Sequence, residues 1–160
     1  MTDPRIPEFE AIYQCRLVGV VGPGLGRDGF VLRSNRLTAV KFFDHADRFL
    51  REHEVYQILK ARDIWQVAGH NTPRLLLANQ SLRTIEMTLV ERPFILDFAG
   101  AMRHEEVPDF PPHVIEEHLQ RVQDLFGNRW ADALRVADVF RQMTGFTLLD
   151  IHPGNIAFPD

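Results

Sequence analysis

One cysteine, Cys15, is all the sequence holds, so no internal disulfide can staple the chain. That usage suits a reducing compartment. A lone cysteine in an apolar strand reads as a small core residue rather than a nucleophile. Positive charge is not in surplus: 18 Lys and Arg face 22 Asp and Glu, for a net charge of −4. Such a balance leaves no electrostatic footprint for nucleic acid or an anionic membrane, and neither is expected as a partner. No run approaches the roughly 18 apolar residues of a membrane span. The opening MTDPRIPEFE is acidic, holds two prolines and lacks an apolar stretch, so it does not read as a signal peptide. Repeats and low-complexity tracts are missing as well. These absences lead us to expect a soluble cytoplasmic protein.

What is present suffices for a core. Hydrophobic residues make up 45% of the 160 positions, with 12 Phe and 2 Trp among them, and the length fits one compact domain. Residues 13–21 (YQCRLVGVV) are β-branched and aromatic and predict a strand. GPGLGRDG (22–29) is a glycine loop, FVLR (30–33) a second strand, SNR (34–36) a turn and LTAVKFF (37–43) a third strand, together an antiparallel meander. The period changes over 46–62, where Phe49, Val55, Ile58 and Leu59 mark a helix. AGHNTP (68–73) reads as a loop, and RLLLAN and RTIEMTLVE (83–91) as two more strands. Residues 104–113, with three prolines, read as a loop. Ile115, His118, Leu119, Val122, Leu125 and Phe126 mark an amphipathic helix that ends at Gly127-Asn128. Trp130, Leu134, Ala137, Phe140 and Met143 mark another that ends at Gly145, and the strand-like FTLLDI, a turn at HPGN and IAF follow. The expected class is α+β, a sheet lobe followed by a helical one.

Within the glycine loop, Gly24, Gly26, Gly29 and Val31 spell G-x-G-x-x-G-x-V. Glycines let backbone N–H groups approach phosphate oxygens closely. A plain hairpin turn would also satisfy the pattern. A dinucleotide-binding fold needs a helix straight after the glycines, and here a strand, a turn and another strand follow. A phosphate-covering loop between antiparallel strands needs just that order.

Lys41 lies in the third strand between apolar neighbours, where an ammonium without a partner is costly. Alternation puts Lys41 on the face of Ala39, toward the glycine loop, and Thr38 and Val40 on the other. The next helix offers Glu52 and Glu54. Glu52 shares a face with Tyr56 and Leu59 and is preferred as the partner. Glu54, about 200° around the helix, is the reserve choice.

The most informative segment is Asp150-Ile151-His152-Pro153-Gly154-Asn155-Ile156. An Asp can accept the proton of an attacking hydroxyl, and an Asn oxygen five residues on can ligate Mg²⁺. This run resembles the catalytic loop of protein-kinase-like phosphotransferases, in the H-G-D-x-H-P-x-N form of aminoglycoside and choline kinases. The Ala39-Val40-Lys41 strand and the glycine loop resemble the same superfamily, so the likeness covers about residues 16–158.

The resemblance implies a kinase-like domain over 1–160, with a five-stranded antiparallel N-lobe (1–92) that holds one inserted helix. A truncated helical C-lobe (93–160) would carry the catalytic loop at 148–156. It implies ATP and Mg²⁺ as cofactors and a small-molecule or protein hydroxyl as phosphate acceptor. Gly24, Gly26 and Gly29 would cover phosphates, and Val31 and Ala39 would line the adenine pocket. Lys41, paired to Glu52, would hold phosphates, and Leu89, Val90 and Glu91 would form the hinge. Asp150 would be the catalytic base and Asn155 a metal ligand. His152 would contact the γ-phosphate or, alternatively, bond its own loop.

Two departures stand out. Leu148 and Leu149 replace the polar residues that usually precede the base. The family's second aspartate, its principal Mg²⁺ ligand in an Asp-Phe-Gly-like triplet, follows the catalytic loop, and Asp160 comes too early to supply it. Two functions are therefore carried forward. One is a minimal ATP-dependent phosphotransferase; the other is a catalytically impaired pseudokinase that serves as a nucleotide-binding regulatory or scaffolding module. The remaining histidines and Cys15 show no metal-site spacing.

Overall fold

A computed structural model describes residues 3–21 and 29–159. The chain starts with a helix, α1 (Arg5–Tyr13), where no element was expected. Consequently the first strand, β1 (Leu17–Val20), is shorter than the predicted 13–21. Tertiary contact makes this helix, as is usual for short helices. Phe9 is fully buried. Arg5 reaches across to donate to the Phe43 carbonyl at 2.6 Å while it pairs with Asp3.

The main sheet is antiparallel throughout. Strands β2 (Gly29–Ser34) and β3 (Thr38–Phe43) follow β1, then helix α2 (Ala46–Ala61) and the two-residue strands β4 (Gln66–Val67) and β5 (His70–Asn71). Strands β6 (Leu75–Asn79) and β7 (Thr84–Thr88) complete the sheet, in the order β1-β2-β3-β7-β6. The predicted loop at 68–73 thus contains a short strand, and the fifth strand of the sheet ends at Thr88 rather than at Glu91.

Strand alternation sorts β3 between two cores. Val40 and Phe42 pack behind the sheet with Phe9, Cys15 and Leu82. Ala39 and Phe43 face forward into the main core with Ile85, Met87 and the α2 residues Phe49, Val55, Tyr56 and Leu59. Cys15 is buried, and burial pushes its thiol pKa up.

Past the sheet come β8 (Phe94–Ile95), β9 (Ala101–Arg103), α3 (Pro112–Phe126), α4 (Trp130–Thr144), β10 (Phe146–Leu148) and β11 (Ile156–Ala157). The helix α4 stops at Gly145, whose φ of 82° closes a left-handed cap. On α3 the predicted apolar face is only partly used. Val122 and Phe126 are buried, whereas Ile115, Leu119 and Leu125 are exposed.

Four short strands set the geometry of the lower part. β8 pairs antiparallel with β11, and β9 pairs antiparallel with β10. The connection 96–100 and the connection 149–155 are therefore held face to face, each anchored at both ends. The molecule is α+β, with a five-stranded antiparallel sheet, one helix inserted after its third strand and helices beyond. Among the described residues no helix is long and apolar enough to cross a membrane.

Candidate functional site

The site is built around Lys41. Its position in β3 is fixed by pairing with Val31 of β2 and Ile85 of β7. The ammonium points forward, 4.9 Å from the Phe43 ring centre, with only 9% of the side chain exposed. An ammonium buried this deeply needs partners, and it has two. Glu52 Oε2 lies 2.7 Å from Nζ, and Asp97 Oδ1 lies 2.8 Å from it. Burial works to strip the Lys41 proton, but the two carboxylates outweigh it and hold the pKa above the ordinary lysine value.

Glu52 comes from the buried face of α2, next to Tyr56. With 1% of its side chain exposed, burial raises its pKa to about 7 despite the opposing charge of Lys41. The choice between the two helix carboxylates is resolved geometrically. Glu54 turns away from Lys41 and pairs with Arg103 of β9.

The second partner, Asp97, is a residue the sequence analysis does not name. This residue sits in the connection between β8 and β9 with φ of 60°. Its Oδ1 accepts from Lys41 and, at 3.3 Å, from the Ala99 N–H. Burial acts to raise the Asp97 pKa, but the charge and hydrogen bond of Lys41 prevail and hold it low, helped by the Ala99 N–H. The next residue, Phe98, is fully buried. It meets Tyr56 of α2 edge-on at 5.3 Å and stacks on Phe140 of α4 at 5.4 Å. Arg48 of α2 donates to the Ala99 carbonyl at 3.3 Å. The segment 97–99 is thus wedged between α2 and α4. The signal for it was present as Asp97-Phe98-Ala99-Gly100.

Across from this segment lies the loop 149–155. Leu96 N–H donates to the Asn155 carbonyl at 2.8 Å, which joins the two connections directly. Gly100 lies against Asp150: a Cβ at position 100 would be 3.3 Å from the Asp150 Cβ. Within the loop, the Asn155 Nδ2 donates to the Asp150 carbonyl at 2.9 Å. Asn155 is buried, while the Asp150 side chain is 64% exposed. His152 Nδ1 accepts from Gly154 N–H at 3.0 Å, and its Nε2 lies 3.6 Å from Asp150 Oδ2.

The remaining residues named from sequence fall as follows. Ala39 is buried, and Val31 packs partly buried against the same core. Leu89, Val90 and Glu91 form the connection that leaves β7. Leu89 is exposed, and the Glu91 carbonyl accepts from Asn71 Nδ2 at 3.0 Å. Gly29 opens β2 with φ of 134°, and a Cβ there would sit 1.8 Å from the Phe42 carbonyl oxygen, so only glycine fits. Gly24, Gly26 and Asp160 lie outside the described residues.

Lys41, Glu52 and Asp97 therefore form one bonded cluster. Asp150, His152 and Asn155 form a second that is hydrogen-bonded to the Asp97 segment. Together they present a fixed cation, oxygen donors suited to a hard metal ion and an accessible carboxylate. Among the described residues no group of three or more His, Cys, Asp or Glu side chains is placed to hold a metal alone.

No family model matches the chain, and no curated protein matches it. Several solved structures align with it, among them two complexes. One is the streptomycin–ATP–APH(2")-IIa ternary complex, with TM-score 0.43, 10% identity, and coverage of 86% of this chain and 42% of that one. The other is the gentamicin–APH(2")-IIa complex, with TM-score 0.46, 16% identity, and coverage of 89% and 39%. The chain thus spans about two-fifths of the length of each.

Proposed function

We propose that this chain is a kinase-like, ATP- and Mg²⁺-dependent phosphotransferase acting on a hydroxyl acceptor. The observation that carries the reading is the pair of bonds from Lys41 to Glu52 and Asp97, with the Asp150–Asn155 loop joined to the same Asp97 segment.

Each residue has a defined task in this reading. Lys41 binds nucleotide phosphate oxygens, and Glu52 keeps its ammonium oriented. Val31 and Ala39 border the adenine, with Leu89, Val90 and Glu91 as the hinge, and Gly24, Gly26 and Gly29 cover the phosphates. Asp150 takes the proton of the acceptor hydroxyl as that oxygen bonds to the γ-phosphorus. The bond from the γ-phosphorus to the β–γ bridging oxygen breaks, and ADP leaves with that oxygen.

The residues fit a magnesium ion. Asp97 and Asn155 supply hard oxygen donors, and 41% of the Asp97 side chain is exposed and therefore reachable. Magnesium is ordinarily held by one or two carboxylates plus substrate phosphates, which agrees with the lack of a protein-only cage. When bound, the ion supplies charge neutralisation on the phosphates.

A second reading, a nucleotide-binding pseudokinase, is favoured by one observation: apolar Leu148 and Leu149 precede Asp150 and give its exposed carboxylate no polar support. ATP turnover with Mg²⁺, wild type beside Asp150→Ala, separates the two. Turnover in the wild type that falls at least about a hundredfold in the variant is expected for the enzyme. Equal background signals in both identify the pseudokinase. Thermal stabilisation by MgATP that disappears in Lys41→Ala tests nucleotide binding itself.

A further inference from the structure

The carboxylate of Asp150 lacks support from the residues before it, and the structure offers support from a residue after it. His152 folds back over its own turn. Its Nδ1 accepts the Gly154 N–H at 3.0 Å, so in the neutral ring the proton resides on Nε2. That nitrogen is the one directed at Asp150, 3.6 Å from Oδ2. The fold-back depends on Gly154, since a Cβ there would sit 2.7 Å from His152 Cε1 and 3.0 Å from Nδ1. Among the described residues no hydrogen bond reaches the Asp150 carboxylate, and His152 is its one ion-pair-range neighbour.

We propose that His152 is a positioning residue for Asp150. Gly154 locks the imidazole so that Nε2–H faces Oδ2 and leaves Oδ1 for the acceptor hydroxyl. The observed separation is longer than a hydrogen bond, and closing it takes under about 1 Å, as expected of catalytic contacts that tighten only in the working complex. The role rests on the phosphotransferase reading. It differs from a γ-phosphate contact because it acts through the orientation of the base.

Two amide replacements separate these roles. His152→Gln sets a donor near the Nε2 position and gives up the Nδ1 acceptor. His152→Asn keeps an acceptor for Gly154 and gives up the reach to Asp150. The probe is single-turnover MgATP hydrolysis, with water as the acceptor hydroxyl, alongside the MgATP dissociation constant. We expect His152→Asn to slow hydrolysis about tenfold or more, His152→Gln to recover most of that loss, and nucleotide affinity to stay level in both. Recovery by Asn and not by Gln would show a ring that serves only its turn. Weakened MgATP binding in both would show a phosphate contact. Either result overturns the proposal.

A nitrogen-15 spectrum of the imidazole supplies a readout free of turnover. The Nε2–H tautomer is expected, with Asp150→Asn moving the Nε2 resonance and leaving Nδ1 in place. If the wild-type protein hydrolyses no ATP, this coupling still upholds the His152–Asp150 pair while the phosphotransferase reading fails. An Nε2 resonance indifferent to Asp150→Asn removes the pair whatever the turnover.

Discussion

The Lys41 ammonium lies 2.8 Å from Oδ1 of Asp97, a residue 56 positions further along the chain. Glu52 holds the same nitrogen at 2.7 Å. An ammonium has three N–H donors, so one remains for a phosphate oxygen without either bond breaking. On the other side of the contact, Asp97 Oδ2 accepts no hydrogen bond from a described residue, which leaves it as the metal-facing atom in the proposed site. Cation and metal would then share one carboxylate at close range. Their repulsion opposes metal alone, and the negative phosphates relieve it.

Nucleotide and metal are therefore expected to bind as a pair. ATP alone and Mg²⁺ alone should each shift the melting temperature little. Supplied together at about a hundredfold over the dissociation constant, they should add about 2.7 kcal/mol, or roughly 5–10 °C for a chain of this size. In Asp97→Asn the excess of the joint shift over ATP alone should vanish. Thermal melts in the four ligand conditions decide this, and an ATP shift indifferent to Mg²⁺ in the wild type would refute it.

Glu52 predicts a pH dependence of stability. Its folded pKa is raised to about 7, above the ordinary glutamate value, because it is buried. A raised carboxylate binds its proton more tightly in the folded state, so the protonated form is the stabilised one. Stability linked to Glu52 is complete at and below the unfolded value near 4.5 and is lost as the pH rises to about 7. Lys41 stays charged across that window and does not reverse the sign. Relative to Glu52→Gln, the wild type should lose about 3 kcal/mol between those limits. Urea melts of both proteins at half-unit pH steps measure the difference. A constant gap from pH 4.5 to 7.5 would contradict it.

The sheet strands and the three longer helices were legible because their periodicities run over enough residues to register. Lys41 and Glu52 were legible for a related reason: a lysine among apolar strand residues demands a partner, and only one carboxylate of α2 shares the buried face with Tyr56. Three features escaped. α1 is made by the contacts of Phe9 and Arg5 with the rear of the sheet, and its own sequence opens with two prolines. β8 and β9 are two and three residues long and exist through pairing with residues 146–157 and, for β8, also with Asn71 of β5, long-range contacts that no local pattern encodes. Asp97 escaped with them, because its neighbourhood depends on those pairings. The exposure of Ile115 and Leu119 on α3 is the opposite error, a clear apolar period with nothing packed on it.

Phe98 should be the residue whose loss links stability to the site. It is fully buried between Tyr56 and Phe140, so Phe98→Ala is expected to cost about 3–5 kcal/mol. Phe98→Leu refills most of the volume and should cost about 1.5 kcal/mol or less. Arg103→Ala, which removes the exposed pair with Glu54, should leave stability nearly unchanged. If the wedge sets the position of Asp97, MgATP affinity falls in Phe98→Leu while Arg103→Ala retains it. Chemical denaturation and calorimetric titration of the three variants supply both numbers.

Gly29 tests where the glycine loop becomes strand. At φ of 134° its backbone is one that L side chains rarely adopt, and a Cβ would meet the Phe42 carbonyl oxygen at 1.8 Å. That oxygen belongs to the rigid ladder between β2 and β3, in which Phe30 opposes Phe42 and Val31 opposes Lys41. The clash cannot be relieved by rotating a side chain, so the strand end has to move. Gly29→Ala should therefore cost more than about 2 kcal/mol. Displacing β2 also shifts Val31, the residue opposite Lys41, so MgATP binding should weaken beyond what lost stability explains. Measuring affinity well below the variant's melting temperature separates the two effects. A Gly29→Ala protein as stable as the wild type, with unchanged affinity, would mean that the left-handed backbone at this position is not required, and the covering role of the loop would lose its structural anchor.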